Sequence, residues 1–409
     1  MNKIVLSALA ALTIGTVAAS ASDVKFYTDA NGQVFTMPAE GRTEVVSKET
    51  PVFAKTSKLD FSGLHYLGYD YKSTSDLNKA DITANGLTPA DKTGIATGAF
   101  EMRRNYVQVK GFFFEDPKSY ARVTLDATYN ADGYNDVIVK YAYIYLNEVL
   151  PFTGVELGQA HRPWIDYEEH NGWFYRSISK VLTEASETAD LSNSADLGVN
   201  FKTNTDHFTS EIGLFNGEGY HGKDGANDKI GTGNSLEWRL TAAMLGNGKA
   251  HRHDTKDTWF DASFWGQLNA KNSSNEDANG DSQSYKIYGL HTVYNMPALL
   301  LSAQYIKADN DNTATYKKNG SGYSANATYR MGKSYQYEIL ARADGWTAQR
   351  DGKDDLSTSN YIYGAAWKEN KNLKWILNGQ TFKAKDHGNY AGAVVQDYTA
   401  GLLTAEVSW

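Results

Sequence analysis

Arginine and lysine recur at the polar positions of segments in which apolar and polar residues alternate. The members of this set are Arg104, Lys110, Arg122, Lys140, Arg162, Arg239, Arg330, Arg342 and Lys374. Arg176 and Lys180 stand in a separate, aromatic-rich segment. Guanidinium groups bind oxyanions through two parallel hydrogen bonds, and ammonium groups bind them as point charges. These residues therefore predict an anion path.

Acidic residues at similar positions leave a second interpretation open. Glu156, Glu237 and Glu338 could pair with several of the basic residues, which would leave a weakly selective path. The formal net charge of −8 argues against a nucleic-acid partner. The sequence thus predicts either a modest anion preference or little preference at all.

Two acidic runs and one histidine pair have the chemistry of metal ligands. In the first run, 276–281, Ser282 stands where a calcium-binding EF-hand loop that starts at Asp277 needs glycine, and Tyr288 where it needs glutamate. The second run, 309–312, is acidic in the same way. Both runs are predicted to be solvated loops. His251-Arg252-His253 lacks a third ligand nearby. We predict no metal and no cofactor.

Enzyme chemistry is the competing function class. His161 and His170 lie near Asp166, Glu168 and Glu169, but no serine motif accompanies them. Serine hydrolysis needs a serine, a histidine and an acid or amide together. The chain also has no cysteine, which excludes disulfides, thiolate metal sites and covalent haem. We predict that the protein is not an enzyme.

A period-two alternation extends from about residue 59 to 409 and must position these side chains. Strands that cross a membrane in a barrel need about ten residues, apolar towards lipid and polar towards the lumen. Short polar turns and long acidic connections also alternate, as in such barrels. We predict an all-β, transmembrane antiparallel β-barrel of 16 strands. The strands are expected near 59–71, 99–113, 120–130, 137–147, 154–162, 193–202, 207–216, 235–245, 258–269, 284–294, 298–307, 321–330, 335–344, 359–368, 373–383 and 397–409.

The two ends of the chain predict its destination. A short basic start, an apolar run over 4–17 and Ala19-Ser20-Ala21 are typical of a cleaved signal peptide, which we place at 1–21. Residues 22–57 predict a periplasmic hairpin around Asn31-Gly32 and a linker. The barrel then occupies 58–409. Its final strand resembles the C-terminal strand of outer-membrane barrels, in which the last aromatic residue, here Trp409, is an assembly signal.

The stretch 99–220 resembles the phosphate-selective porin O and P family of Gram-negative outer membranes. The resemblance rests on Phe100-Glu101-Met102-Arg103-Arg104, on Val155–Gln159 followed by His161-Arg162-Pro163, on Ala195–Val199 and on Gly213–Gly217. The family implies a 16-stranded barrel, usually trimeric, that conducts anions through a basic constriction. The acidity of this chain and its lack of a dense lysine cluster depart from that pattern.

In the family, the connection after the fifth strand folds inward, which here means residues 163–191. This segment is rich in aromatic residues, among them Trp164, Trp173 and Tyr175, whose burial would favour an ordered loop. We predict that Arg104, Arg162 and Arg176 converge on one constriction, with Lys110, Arg122, Lys140, Lys180 and Arg239 along the path.

The predicted function is a porin for small hydrophilic solutes and ions, with a preference for anions or phosphate. The expected partners are outer-membrane lipids, the barrel assembly machinery, small anions or other small solutes, and two further copies in a homotrimer. The alternatives are a structural or interaction barrel, such as a partner sheath or an adhesin, and, below these, an outer-membrane lipase or protease.

Overall fold

The computed structural model describes thirteen ranges of the chain. They are 27–29, 34–35, 37–44, 58–76, 94–112, 114–129, 135–220, 233–249, 252–276, 282–310, 319–349, 355–385 and 396–409. The predicted signal peptide at 1–21 lies outside the described residues. So do His251 and most of the two acidic runs considered for calcium.

The N-terminal unit of the chain, residues 1–55, contains a small antiparallel sheet. Its strands are β1 (Tyr27–Thr28), β2 (Val34–Phe35) and β3 (Thr43–Glu44), in the order β2-β1-β3. Tyr27 pairs with Phe35. Asn31-Gly32, around which the sequence predicts a hairpin, lies outside the described residues. The guanidinium carbon of Arg42 lies 3.4 Å from the centroid of the Phe35 ring.

Sixteen antiparallel strands close into a barrel in the second unit, and this confirms the predicted fold class and strand number. Each strand pairs with its neighbours in sequence, and the last pairs with the first, so no sheet edge is left open. The strands are β4 (Lys58–Thr74), β5 (Ala96–Phe112), β6 (Tyr120–Tyr129), β7 (Asn135–Leu150), β8 (Thr153–His161), β9 (Ala195–Asn204), β10 (Phe208–Phe215), β11 (Ser235–Leu245), β12 (Trp259–Glu276), β13 (Ser282–Met296), β14 (Leu299–Asn310), β15 (Gly320–Met331), β16 (Tyr337–Ala348), β17 (Leu356–Lys368), β18 (Leu373–Lys385) and β19 (Tyr398–Ser408).

Alternation along the strands separates an apolar exterior from a mostly polar interior. On β14, Leu301 and Tyr305 are exposed on the outside, whereas Ser302 and Gln304 are buried on the inside. The same pattern on the other strands produces a belt of leucine, tyrosine and phenylalanine around the barrel. Such a belt matches the hydrocarbon and interfacial layers of a bilayer. Among the described residues, no helix is long and apolar enough to cross a membrane.

Two β-bulges change which side chains face inward. In β7, the pairing with β6 slips by one residue at Lys140, so that Thr124 pairs with Tyr141 and Leu125 with Val139. A bulge turns the following residues to the other face. Val137 and Val139 therefore point outward, whereas Tyr141 and Tyr143 are buried inside. In β5, a similar slip between Met102 and Arg104 leaves Arg103 unpaired in the ladder.

The C-terminal residue closes the barrel against β4. The backbone of Trp409 exchanges two hydrogen bonds with Gly63, of 3.0 and 3.1 Å, and its indole Nε1 donates to Nε2 of His65 at 3.0 Å. The indole occupies the space that a side chain at Gly63 would need. Trp409, the predicted assembly signal, thus packs on the first barrel strand. Its role in assembly stays a prediction.

We expect Gly63→Ala to weaken this seam, because the new methyl group would displace the Trp409 indole. Overpacking of this kind costs about 1–3 kcal/mol. The matched control is Gly401→Ala on β19, where an added methyl group meets no atom within 4 Å. Heat-dependent electrophoretic mobility of the inserted barrel measures the effect. Equal midpoints of thermal unfolding for the two variants would contradict the packing of Trp409 on Gly63.

Candidate functional site

The connection between β8 and β9, residues 162–194, lies against the inner wall of the barrel. It contains one short helix, α1 (Ile165–Asn171), followed by turns. Its apolar side chains form one buried cluster with inward side chains of the wall from β12 to β19. Trp164 stacks on Trp265 with ring centroids 4.7 Å apart and planes at 5°. The wall residues in this cluster include Ile287, Ile306, Leu340, Trp346, Ile362, Ile376 and Phe382.

Hydrogen bonds join the connection 162–194 to several strands of the barrel wall. The Tyr175 hydroxyl donates to Glu338 at 3.0 Å, and the Tyr167 hydroxyl donates to Asp261 at 2.7 Å. From the wall, Lys374 donates to the Phe174 carbonyl at 3.1 Å. Because apolar burial and hydrogen bonding act together, the connection is an ordered partition that fills the β12–β19 side of the lumen.

A second connection, 246–258, covers part of the short-turn end on the same side. Its described part is held from inside the barrel by Asn295 and Arg330, which donate to the Asp254 carbonyl at 3.0 Å each. Lys368 lies 3.3 Å from the Asp254 carboxylate. These contacts hold in place a connection that is longer than the other turns at the same end of the barrel. The open part of the lumen considered below is the cavity between the partition and strands β4 to β8.

Glu168 of α1 is the one buried acid of the partition that lacks a cationic partner within 4.0 Å in the described ranges. It accepts a hydrogen bond from Gln304, and its second oxygen has no partner among the described residues. Burial raises the pKa of Glu168 to about 8, from an ordinary value of 4.5. The group is therefore largely protonated near neutral pH.

We expect the partition to loosen as the pH rises. A carboxyl group whose pKa is higher in the folded state binds more protons there, so stability is lost as the pH rises between its unfolded and folded pKa values. For Glu168 these values are 4.5 and about 8. Single-channel current noise should increase over this range, and Glu168→Gln should remove the dependence. A variant that keeps the wild-type pH dependence would contradict the assignment.

Most of the predicted site cations are neutralised by carboxylates. Arg104 lies 2.7 Å from Asp126, and Arg239 lies 3.0 Å from Glu211. In the partition, Lys180 lies 3.5 Å from Glu184. The remaining pairs are Arg162 with Glu237, Arg176 with Glu184 and Glu169, Arg330 with Glu338 and Asp254, Arg342 with Asp344, and Lys374 with Glu406. These cations therefore add little net positive charge to the path.

Three predicted site cations, Lys110, Arg122 and Lys140, have no carboxylate oxygen within 4.0 Å in the part of the chain that the structure describes. They lie on the adjacent strands β5, β6 and β7, and Lys110 is the direct register partner of Arg122. We call them the unpaired cations. Their charge is not held in a close ion pair among the described residues, although Asp60 is the register partner of Lys110 on β4.

Tyrosine rings, rather than acids, hold the unpaired cations. The ammonium of Lys110 lies 4.6 Å from the Tyr120 centroid, and the guanidinium of Arg122 lies 4.7 Å from that of Tyr141. Lys140 donates to the Tyr106 hydroxyl at 2.6 Å. Ring faces attract cations without removing their charge. Strict alternation from Val137 and Val139 would place Tyr141 and Tyr143 on the outer face, but the bulge at Lys140 turns both inward, so sequence alone did not identify them as lumen residues.

Of the three arginines predicted to converge on one constriction, Arg176 lines the cavity beside the strand wall, whereas Arg104 and Arg162 do not. A cavity of about 330 Å³ between the strand wall and the partition is lined by Arg122, Lys140 and Arg176. Arg162 instead lines a separate recess with Lys180 and Glu184. Arg104 is held against Asp126 on the strand wall. The structure thus brings Arg176 to the path but places Arg162 away from that cavity.

The described histidines of the lumen lack the serine–histidine–acid arrangement that serine hydrolysis needs. His161 and His170 both approach the Asp166 carboxylate, at 3.6 and 3.4 Å, and neither ring has a hydrogen bond to serine within the described ranges. His291 does contact the Ser302 hydroxyl at 2.8 Å, but the pair is buried beneath the partition and its Nδ1 has no partner among the described residues. Within the same residues, no group of three or more histidine or acidic side chains could hold a metal ion.

No protein-family model matches this chain, and no curated protein sequence matches it either. The resemblance to phosphate-selective porins therefore stays a prediction. Solved structures do match. The anion-selective porin from Comamonas acidovorans is similar with a TM-score of 0.58 and 15% identity, over 86% of this chain and 99% of that one.

Two further solved structures show the same architecture. OmpF of Salmonella typhi, in complex with daunomycin, has a TM-score of 0.55 and 13% identity, over 86% of this chain and 97% of that one. A loop L8 deletion mutant of OmpT, an outer membrane protein of Vibrio cholerae, has a TM-score of 0.55 and 12% identity, over 86% and 99%. At these identities the likeness establishes a shared fold, and this chain has the 16-stranded barrel fold of outer-membrane porins.

Proposed function

We propose that this protein is an outer-membrane porin, a water-filled channel for passive diffusion of small hydrophilic solutes and ions. The closed barrel, its apolar exterior and its polar, partly open lumen support this proposal. The route would run beside β4 to β8, where a cavity separates the strand wall from the partition. A structural barrel or adhesin would not require a cavity lined by charged side chains.

The channel is further proposed to prefer anions. The observation that carries this preference is the row of unpaired cations, Lys110, Arg122 and Lys140, on the open side of the lumen. In a pore, only the charge that faces the path sets selectivity. Acids in the external connections act at a distance and are screened within about 8 Å at physiological salt. The overall acidity of the chain therefore does not oppose an anion path.

Reconstitution tests the channel itself. The purified chain, inserted in a planar bilayer, is expected to produce discrete conductance steps in KCl. Insertion is verified independently by heat-dependent electrophoretic mobility. An inserted barrel that carries no current would contradict the channel and would favour the interaction or structural barrel instead.

Export and assembly complete the proposal. We propose that residues 1–21 are removed during export and that three copies associate in the outer membrane. In support of a trimer, a trimer form of in-vitro folded OmpT is among the similar structures, with a TM-score of 0.52 and 12% identity. N-terminal sequencing of the mature protein and the mass of the detergent-solubilised complex measure these two features. A mature chain that begins at Met1 or a monomeric mass would contradict them.

A further inference from the structure

The cavity beside the unpaired cations has two unlike walls. The strand wall presents Arg122 and Lys140 together with the rings of Tyr66, Tyr106 and Tyr141. The partition contributes Asp166, Glu169, Phe174 and Arg176 from the opposite side. With a volume of about 330 Å³, the space is large enough for an organic solute of one ring.

Hydrogen-bond donors on the strand wall remain available to a solute. Arg122 uses Nε for Thr124 at 3.0 Å and Nη1 for Tyr143 and His161, both at 3.2 Å. Its Nη2 donates to no atom among the described residues. Lys140 Nζ donates only to the Tyr106 hydroxyl in the same part of the chain, although an ammonium group has three hydrogens, and this side chain lines the cavity with 1% of its surface exposed. A carboxylate can therefore bind here without displacing an existing ion pair.

The opposite wall limits the charge of the solute. Asp166 is partnered by two histidines, His161 and His170, rather than by arginine or lysine within 4.0 Å in the described ranges. Glu169 is paired with Arg176. A second negative charge on the solute would face these carboxylates across the cavity. The arrangement therefore favours a monoanion over a phosphate dianion or a dicarboxylate.

The aromatic lining adds a preference for the rest of the solute. Tyr66, Tyr106 and Tyr141 line the same cavity as the cations, and Phe174 lines it from the partition. Aromatic pairs gain about 0.5–1.5 kcal/mol beyond their area burial. An inorganic anion would gain nothing from contact with these rings. An aliphatic solute would bury apolar surface against them but would not gain the additional energy of aromatic pairing.

We propose that this cavity binds aromatic monocarboxylates, with the carboxylate on Arg122 and Lys140 and the ring among Tyr66, Tyr106, Tyr141 and Phe174. The inference rests on the proposed channel function and names the solute class of the same path. Bound solute would occupy the route that chloride takes through the open side of the lumen. It would therefore reduce chloride current while it is present.

Block of chloride conductance in a planar bilayer tests the inference. The probes are benzoate, cyclohexanecarboxylate and inorganic phosphate, added to the wild-type channel at matched ionic strength. Benzoate is expected to block at concentrations roughly 2- to 10-fold lower than cyclohexanecarboxylate, the factor that aromatic pairing supplies. Phosphate is expected to block least. Equal block by benzoate and cyclohexanecarboxylate, or stronger block by phosphate, would overturn the inference.

Single substitutions assign the two parts of the site. Arg122→Gln should weaken benzoate block by about tenfold or more, because a charge-assisted hydrogen bond is lost. Tyr141→Leu should abolish the difference between the two carboxylates, and Tyr141→Phe should keep it. The control is Lys307→Gln, since Lys307 is exposed on β14 beside Asp309. Unchanged block in Arg122→Gln would overturn the site.

The outcomes also separate this inference from the proposed channel. A channel that prefers chloride but is not blocked selectively by benzoate refutes the site alone. A wild-type barrel that prefers potassium, or that carries no current, refutes the anion path on which the site depends.

Discussion

We expect deletion of residues 168–178 to raise the single-channel conductance severalfold. The deleted residues include Trp173 and Tyr175, which are buried against the inner wall of the barrel. Without them the partition cannot fill the β12–β19 side, and water enters that half of the lumen. Conductance follows the cross-section of the water-filled path, so a wider path carries more current. Planar-bilayer recordings of the inserted variant measure the change.

The deletion exposes an apolar wall, so the barrel must be shown to be folded and inserted before current is compared. Tyr175→Phe is the matched control, because it removes the hydrogen bond to Glu338 but keeps the ring in the cluster. Its conductance is expected to stay close to that of the wild type. Equal conductance for the wild type and the inserted deletion variant would show that the segment does not narrow the path.

Replacement of Lys110, Arg122 and Lys140 by glutamate should reverse the ion preference. Unit charges at 4 Å interact by about 4 kcal/mol at an effective dielectric of 20. Three cations with no carboxylate oxygen within 4.0 Å among the described residues would therefore dominate the field that a passing ion meets. The zero-current potential in a KCl gradient measures the preference, and its sign is expected to change in the triple variant.

The control for the reversal of ion preference is a double variant that removes an ion pair elsewhere in the lumen. Arg239→Gln combined with Glu211→Gln removes one ion pair and leaves the net charge of the lumen unchanged. Its zero-current potential should keep the sign of the wild type. If the triple variant also keeps that sign, the unpaired cations do not set the selectivity.

The strand pattern was predictable because a barrel strand has only two faces. Alternation such as Leu301, Ala303 and Tyr305 against Ser302 and Gln304 repeats along each strand, and the structure confirms all sixteen strands. Strand ends were less predictable. β12, for example, continues to Glu276, beyond the predicted end at 269, with register shifts after Asn269. Residues 271–276 are all polar, so the apolar–polar alternation no longer marks the strand there.

The charge balance of the lumen was not predictable to the same degree. A bulge at Lys140 inserts one residue without a distinctive sequence, yet it turns Tyr141 and Tyr143 inward. The partner of Arg162 is Glu237, 75 residues away along the chain. Such a pair depends on the register of strands and on the path of the partition. Sequence could therefore list the basic residues but could not tell the paired cations from the unpaired ones.

The zero-current potential of the wild-type channel in a KCl gradient tests the central claim most directly. The unpaired cations predict that chloride is the more permeant ion. Chloride would diffuse towards the dilute side, so the side with the higher salt concentration should become electrically positive. The opposite polarity would show that potassium is preferred. The acidic groups of the chain would then outweigh Lys110, Arg122 and Lys140, and the anion path would be refuted.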